Sequence, residues 1–415
     1  MKLFRKLIFD IKQNFSLYAI ILMIIVISDD CYWFSTTSNT LFVALKYVFF
    51  VVLPIYLYIK LKSPKINLIP IIFMTAMFCL SALLGGASII GGPATLCLTL
   101  LSATILTKTV SLLTFASAFI KVTNVIMLYS LLVWAAVMFS FVQITEIENV
   151  AGNSIKTAYL CTFFSDYFGL ILRNGAIFRE PGIFMVFINI AFILDTLYLK
   201  NRLSIKKLFL YVGCMVTTLS TAGLIILFLS YLLYLFNQKT NIKAFAVPAI
   251  FIGVCLYLLI GSEELIASVF GKFERGMDSG SVAGRITSLT IPSMIMFYNP
   301  LFGVGAEQFR TEYIKYGQQM YHMFIDPQGL ATNTMLNAGA VFGVWFAIFI
   351  IYNFYRFSRL LVPKKNIQAL YIFLLFMMMF SNESMFYSLI VYILIFYGIY
   401  ENKRIKNQTM IKLKK

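Results

Sequence analysis

Phe178-Arg179-Glu180-Pro181-Gly182 sets a guanidinium and a carboxylate ahead of a proline suited to the first turn of a helix. An arginine fork grips phosphate oxygens well. The same pair also reads as an interfacial arginine that snorkels beside its neighbouring acid. Gly284-Arg285 precedes Asn299-Pro300-Leu301-Phe302-Gly303-Val304-Gly305 and then Arg310. Gly303 and Gly305 permit positive φ and a close backbone approach to a ligand, or form a plain turn between two surface helices. Thr332-Asn333 leads into Leu336-Asn337-Ala338-Gly339. Polar groups at that edge, Asn333 and Asn337 among them, suit either sugar hydroxyls or a helix cap. His322, close to Asp326, is a candidate general base, with Glu180, Glu307 and Asp326 competing for the role. The pair Asp29-Asp30 could hold a divalent cation, but two acids on a short loop are ordinarily just solvated. With a single His in the chain a His-based zinc site is not supported, and no metal or other cofactor is assigned.

The elements that must position these residues follow from composition. Of 415 residues 60% are hydrophobic and only 12% charged, with a mean hydropathy of +0.86 and 41 Phe. Soluble domains carry roughly a quarter charged residues. A soluble globular enzyme, a disordered chain and a nucleic-acid binder are therefore excluded. The expected fold is an all-α polytopic membrane protein with about 12 transmembrane helices, forming a single integral membrane domain over 1–415. Expected spans are 15–28, 40–59, 66–84, 87–107, 122–142, 182–199, 207–219, 222–237, 244–261, 335–355, 367–381 and 385–400. The stretch 207–237 breaks at Ser220-Thr221-Ala222-Gly223, or runs on as a single tilted helix. Two large outward-facing loops, about 143–181 and 262–334, are expected to carry amphipathic helices. Ile286, Leu289, Ile291, Met294, Ile295 and Phe297 give one helical face, and Phe309, Tyr313, Tyr316 and Met320 another. A further surface helix is expected over 108–121, on the inner side.

Charge orients this arrangement. The segments assigned to the cytoplasm hold 25 basic residues and those assigned outside hold eight, with Lys46 inside a span. That asymmetry follows the positive-inside rule, with both termini cytoplasmic, and it accounts for the net charge of +17 without nucleic acid. The basic N-terminus lacks a small-residue cleavage site, so a retained first helix is expected. Cys79, Cys97, Cys214 and Cys255 fall in apolar runs. Cys31 and Cys161 fall in outer loops, where a disulfide and two free thiols both stay open. Of 17 acids 14 fall outside, Asp10, Asp195 and Glu401 being the exceptions. The cytoplasmic side has no GxxxxGK phosphate cradle. An outward-facing enzyme of this kind must take an already activated substrate, and a lipid-linked diphosphate is one.

The order of these features resembles a bacterial O-antigen polymerase (Wzy-type) family, related to the O-antigen ligases. The likeness covers roughly 175–345 in motifs and the rest in topology. It comprises the Arg-Glu-Pro-Gly element, the Ser-Thr-Ala-Gly break, a long outer loop beginning near an Arg, the Asn299-to-Gly305 run and an Asn before a Gly-containing returning helix. The resemblance implies a metal-independent membrane glycosyltransferase that joins undecaprenyl-diphosphate-linked oligosaccharide repeat units on the outer face of the cytoplasmic (inner) membrane. Its partners would be that lipid-linked glycan, membrane lipid and a chain-length regulator protein, with no nucleic acid. Arg179 and Arg285 match the family's diphosphate-binding arginines, and Arg310 matches less closely. One departure matters. Ligase-like members have a His-Asn pair before the returning helix, where this chain has Thr332-Asn333. An O-antigen ligase is the nearer alternative function. A lipid-linked oligosaccharide flippase, from a different class, would be expected to show related halves, short loops and ionisable residues within its spans. A purely structural subunit would not need outer arginines beside glycine turns.

Overall fold

A computed structural model describes residues 17–28, 30–35, 40–60, 69–85, 92–148, 154–165, 172–237, 280–327, 331–363 and 365–400. The expected span 244–261, the first part of the expected second outward loop (262–279) and Asp29 lie outside the described residues. The described chain is mostly helical. Its helices are α1 (Leu17–Val26), α2 (Tyr32–Ser35), α3 (Thr40–Lys60), α4 (Ile69–Leu84), α5 (Gly92–Thr109) and α6 (Leu112–Met138). After four strands come α7 (Pro181–Ile193), α8 (Ile205–Thr217), α9 (Thr221–Asn237), α10 (Gly280–Tyr298) and α11 (Ala306–Tyr321). The last are α12 (Thr334–Phe342), α13 (Val344–Leu361), α14 (Asn366–Ser381) and α15 (Leu389–Tyr400).

α7 is the axis of the fold. Every residue from Pro181 to Ile193 is buried, and α6, α8, α9 and β4 (Leu172–Ala176) pack around it. Its sequence, PGIFMVFINIAFI, is apolar on all sides, as a helix with neighbours all round must be. Asn189 is its one polar side chain beyond the first turn, and its amide donates back to the Met185 carbonyl at 3.0 Å. The helix runs on as a π-helical turn, Leu194–Tyr198. There Asp195 meets Lys207 of α8 at 2.7 Å and Asn201 at 2.6 Å. Burying a carboxylate is costly without partners, and these supply them.

α6 corrects the expectation of a surface helix over 108–121 followed by a separate span. No Gly or Pro interrupts Leu112–Met138, so one helix of 27 residues forms, capped by the Ser111 hydroxyl accepting from the Thr114 N–H at 3.2 Å. At 1.5 Å rise per residue that is about 40 Å. By length and composition α6 and the run Pro181–Tyr198 could each cross a membrane, and α4, α9, α14 and α15 are shorter apolar helices. The outer face of α6 leaves Leu113, Val125, Leu128 and Leu132 exposed. Lys46 lies half-buried on α3, with its ammonium 6.0 Å from the Tyr47 ring.

Segment 143–181 departs from the helical expectation. It folds as β1 (Thr145–Glu148), β2 (Ser154–Ala158), β3 (Cys161–Ser165) and β4, an antiparallel meander in the order β1-β2-β3-β4. Ala158 pairs with Cys161, which leaves Tyr159-Leu160 as a two-residue turn with Tyr159 at φ 53°. The sheet is buried through Ala158, Cys161 and Phe163 against Val133 and Val137 of α6. Trp134 of α6 donates its indole N–H to the Leu172 carbonyl at 2.7 Å. Cys31 and Cys161 are both free buried thiols, which settles the open question of a disulfide.

Segment 262–334 carries helices α10 and α11 among its described residues, where the apolar periodicity places them. The break at 217–221 is real as well, with Leu219 at φ 50° between α8 and α9. The returning helix expected over 335–355 is instead two helices, α12 and α13, divided at Gly343. Gly343 has φ +102°, a conformation that a side chain rarely adopts. The division has a cause in the Asn299-to-Gly305 run. Val304 donates to the Ala340 carbonyl and Gly305 to the Val341 carbonyl, both at 3.0 Å, and Val344 donates to Pro300 at 2.8 Å. Backbone groups freed by the break are thereby satisfied inside the protein.

Candidate active site

Four segments converge at the N-terminal end of α7. The first is Phe178-Arg179-Glu180 itself, fixed by the Arg179 N–H donating to the Asp30 carbonyl at 3.0 Å and by a β-bridge between Cys31 and Phe178. The second is β4, which carries Arg173. The third is α10, whose exposed Arg285 acts on the site through its charge. The fourth is the turn Asn382–Ser388 between α14 and α15.

That turn is held from three directions. Arg179 donates a terminal guanidinium N–H to the Ser384 carbonyl at 2.7 Å. The Thr334 hydroxyl, in the first turn of α12, donates to the Glu383 carbonyl and accepts from the Met385 N–H at 2.9 Å. Ser388 donates its hydroxyl to the carboxylate of Asp30, which is buried. Asn337 of α12 adds contacts to the Ser384 hydroxyl at 3.2 Å and to the Ala331 carbonyl at 2.8 Å.

The result is a carboxyl delivered onto the start of α7. Glu383 lies against the backbone of Gly182, so close that a Cβ there would overlap its carboxyl group. Glycine at this position is required by that approach. Glu180 is the N-cap residue of α7 but makes no capping bond with its side chain. Burial pushes the Glu383 carboxyl up to about 8, and the negative charge of Glu180 pushes the same way. The positive charges of Arg179, Arg173 and Arg285 oppose that rise.

The site thus brings together Arg179, Glu180 and Arg285 from the sequence expectation. Asn337, from the polar edge after Thr332-Asn333, joins them, and Arg173, Glu383 and Thr334 are additions that the sequence did not single out. For Glu383 the available signal was an acid inside a short polar turn, Ser381-Asn382-Glu383-Ser384, between two apolar runs. Two buried polar atoms in this group have no partner among the described residues: the Arg179 Nε and the Asn337 Oδ1.

The other expected residues lie elsewhere or act locally. Arg310 is exposed and pairs with Asp326. His322 is exposed and ends α11 in a left-handed conformation, with its backbone N–H on the Gln318 carbonyl at 3.0 Å. Neither is among the charges that act on Glu383. Gly303 and Gly305 do adopt positive φ, +65° and +77°, but the close approach they allow is to the protein's own backbone, at Ala340 and Val341 for Gly303 and at Ser81 and Gly85 for Gly305. Asn333 caps α12, its side chain accepting from the Leu336 N–H at 3.0 Å. Asp30, half of the acidic pair, is committed to the turn. Among the described residues no three His, Cys, Asp or Glu side chains gather to hold a metal ion.

Chemically, a buried carboxyl beside Arg179, which bonds the next carbonyl and is joined by the charges of Arg173 and Arg285, can attract a polyanion while holding a proton nearby. No protein-family model matches the chain, and no curated protein matches it in sequence.

Proposed function

We propose that this chain is a membrane glycosyltransferase, a polysaccharide polymerase that joins undecaprenyl-diphosphate-linked oligosaccharide repeat units on the outer face of a bacterial cytoplasmic membrane. The observation that carries the reading is Arg179, bonded at 2.7 Å to the turn that lays Glu383 on Gly182, with the charges of Arg173 and Arg285 acting on the same carboxyl. Arginines suit a diphosphate leaving group, because their forks match its oxygens and their charge offsets what develops as the glycosidic bond breaks. The unpartnered Arg179 Nε and Asn337 Oδ1 are a donor and an acceptor that a polar ligand would satisfy.

The membrane setting is part of the proposal. Apolar composition, the two long apolar helices, the exposed aliphatic face of α6 and the 25-to-8 division of basic residues support it. About twelve spans with both termini inside put Arg179, Arg285 and Glu383 on the outer side, where a lipid-linked unit would be presented. Thr332-Asn333, in place of a His-Asn pair, favours polymerase over ligase.

The test is a gel of surface and lipid-linked glycans from a strain lacking the gene. Collapse of the ladder to a single repeat unit still joined to its final acceptor supports the polymerase. Polymer stranded on the lipid carrier would instead make the protein a ligase. Loss of even the single unit from the outer side would make it a flippase.

A further inference from the structure

The turn between α14 and α15 delivers a group whose task the diphosphate reading leaves open. Glu383 sits in this turn with its backbone gripped on both sides, by Thr334 at its own carbonyl and by Arg179 at the next. Its carboxyl is laid on the backbone of Gly182, beside Glu180. We propose that Glu383 is the proton acceptor for the incoming sugar hydroxyl, an inference that rests on the glycosyltransferase reading.

The step balances without a cofactor. The acceptor hydroxyl oxygen forms a new bond to the anomeric carbon of the donor. The bond from that carbon to the diphosphate oxygen breaks, and the lipid diphosphate leaves with the electron pair. The hydroxyl proton passes to Glu383 and from there to water. Arg179, which binds the Ser384 carbonyl, ties the leaving-group site to the turn that carries the base, so both are set by one side chain.

The charged groups facing Glu383 come from each surrounding element: Glu180 at the start of α7, Arg179 just before it, Arg173 on β4 and Arg285 on α10. Burial and Glu180 raise its affinity for a proton, while the three arginines restrain it. A base is most effective when it titrates near the working pH, and a carboxyl brought to about 8 does so. His322, by contrast, is exposed at the end of α11.

The experiment uses membranes from the deletion strain carrying the wild-type or variant chain, supplied with lipid-linked repeat units extracted from that strain. Wild-type membranes are expected to lengthen the glycan at a rate that rises with pH and levels off above about 8. Glu383→Gln is expected to slow the rate by about 100-fold or more and to abolish that rise. Glu383→Asp should recover part of the rate. Glu180→Gln should move the rise to lower pH, because it removes the negative charge that holds the proton on Glu383. A Glu383→Gln variant with wild-type rate and pH profile would overturn the assignment of Glu383 while leaving the polymerase intact. Wild-type membranes that lengthen nothing would overturn the polymerase reading, and the base with it. Should Glu383→Gln fail to accumulate, an unmoved pH profile in Glu180→Gln would count against the proposal by itself.

Discussion

Arg179, Glu180, Arg285 and Asn337, expected from the sequence, act at the start of α7 together with Arg173, Glu383 and Thr334, which were not. If Arg179 and Arg285 hold a diphosphate, Arg179→Ala and Arg285→Ala should each remove polymer from the cell surface while the protein accumulates normally. Loss of one preorganised donor to a developing charge costs roughly 100- to 1,000-fold in rate. Lys at either position should restore only part, since an ammonium makes no bidentate contact. Arg310 provides the contrast. Its pair with Asp326 is exposed, and such pairs contribute about 0–1 kcal/mol. Arg310→Ala should therefore leave ladder length and yield close to wild type, and a lost ladder would bring Arg310 back into the site. Glu383 also links stability to pH. Its raised proton affinity means the folded chain binds more protons than the unfolded chain between the ordinary carboxylate range and about 8. Stability contributed by this group is therefore full at low pH and declines as pH rises through that window. Thermal unfolding in detergent should show a flatter dependence over that range for Glu383→Gln. An unchanged slope would mean that Glu383 is solvated.

At the scale of elements, glycine positions separate structural from functional readings. Gly303 faces the Ala340 and Val341 backbone at φ +65°, so Gly303→Ala should destabilise the α10–α12 region by roughly 1–3 kcal/mol, read as lower melting temperature and lower yield. Gly182→Ala should do something different. The atom it meets is the end of a flexible side chain, which can swing away, so the fold should persist while Glu383 leaves its place and activity falls. Normal activity in Gly182→Ala would detach Glu383 from the chemistry. Much of the helical order was legible in sequence because apolar runs and their breaks are local signals. The 217–221 break and α10 and α11 were read from such signals, and Arg179 was found because Pro181 marks a helix start. The sheet was not legible as such: Thr145-Glu146-Ile147-Glu148 alternates, but its strands are short and the β2–β3 turn is Tyr159-Leu160, without the Gly or Asn that marks hairpins. The split at Gly343 depends on hydrogen bonds from residues 300–305, some forty positions earlier in the chain. Glu383 was missed for the same reason, since its partners Gly182, Thr334 and Arg179 are all distant in sequence.

For the whole molecule, the account requires one sidedness. In the proposed topology the exposed hairpin tip at Tyr159 faces outward and the start of α8 faces the cytoplasm. In a chain whose six native Cys are replaced, Tyr159→Cys should react with a membrane-impermeant thiol reagent on cells with intact inner membranes, and Lys206→Cys should not. The reverse pattern would put the arginines on the nucleotide-bearing side and remove the argument for a pre-activated donor. Within the proposed sidedness, the site is proposed to exchange a sugar–diphosphate bond for a sugar–sugar bond. The most direct measurement is made on purified protein in lipid nanodiscs, incubated with lipid-linked repeat units and no nucleotide. The expected result is longer lipid-linked glycan with one lipid diphosphate released for each bond formed. Release without lengthening, or lengthening that requires added nucleotide, would contradict it.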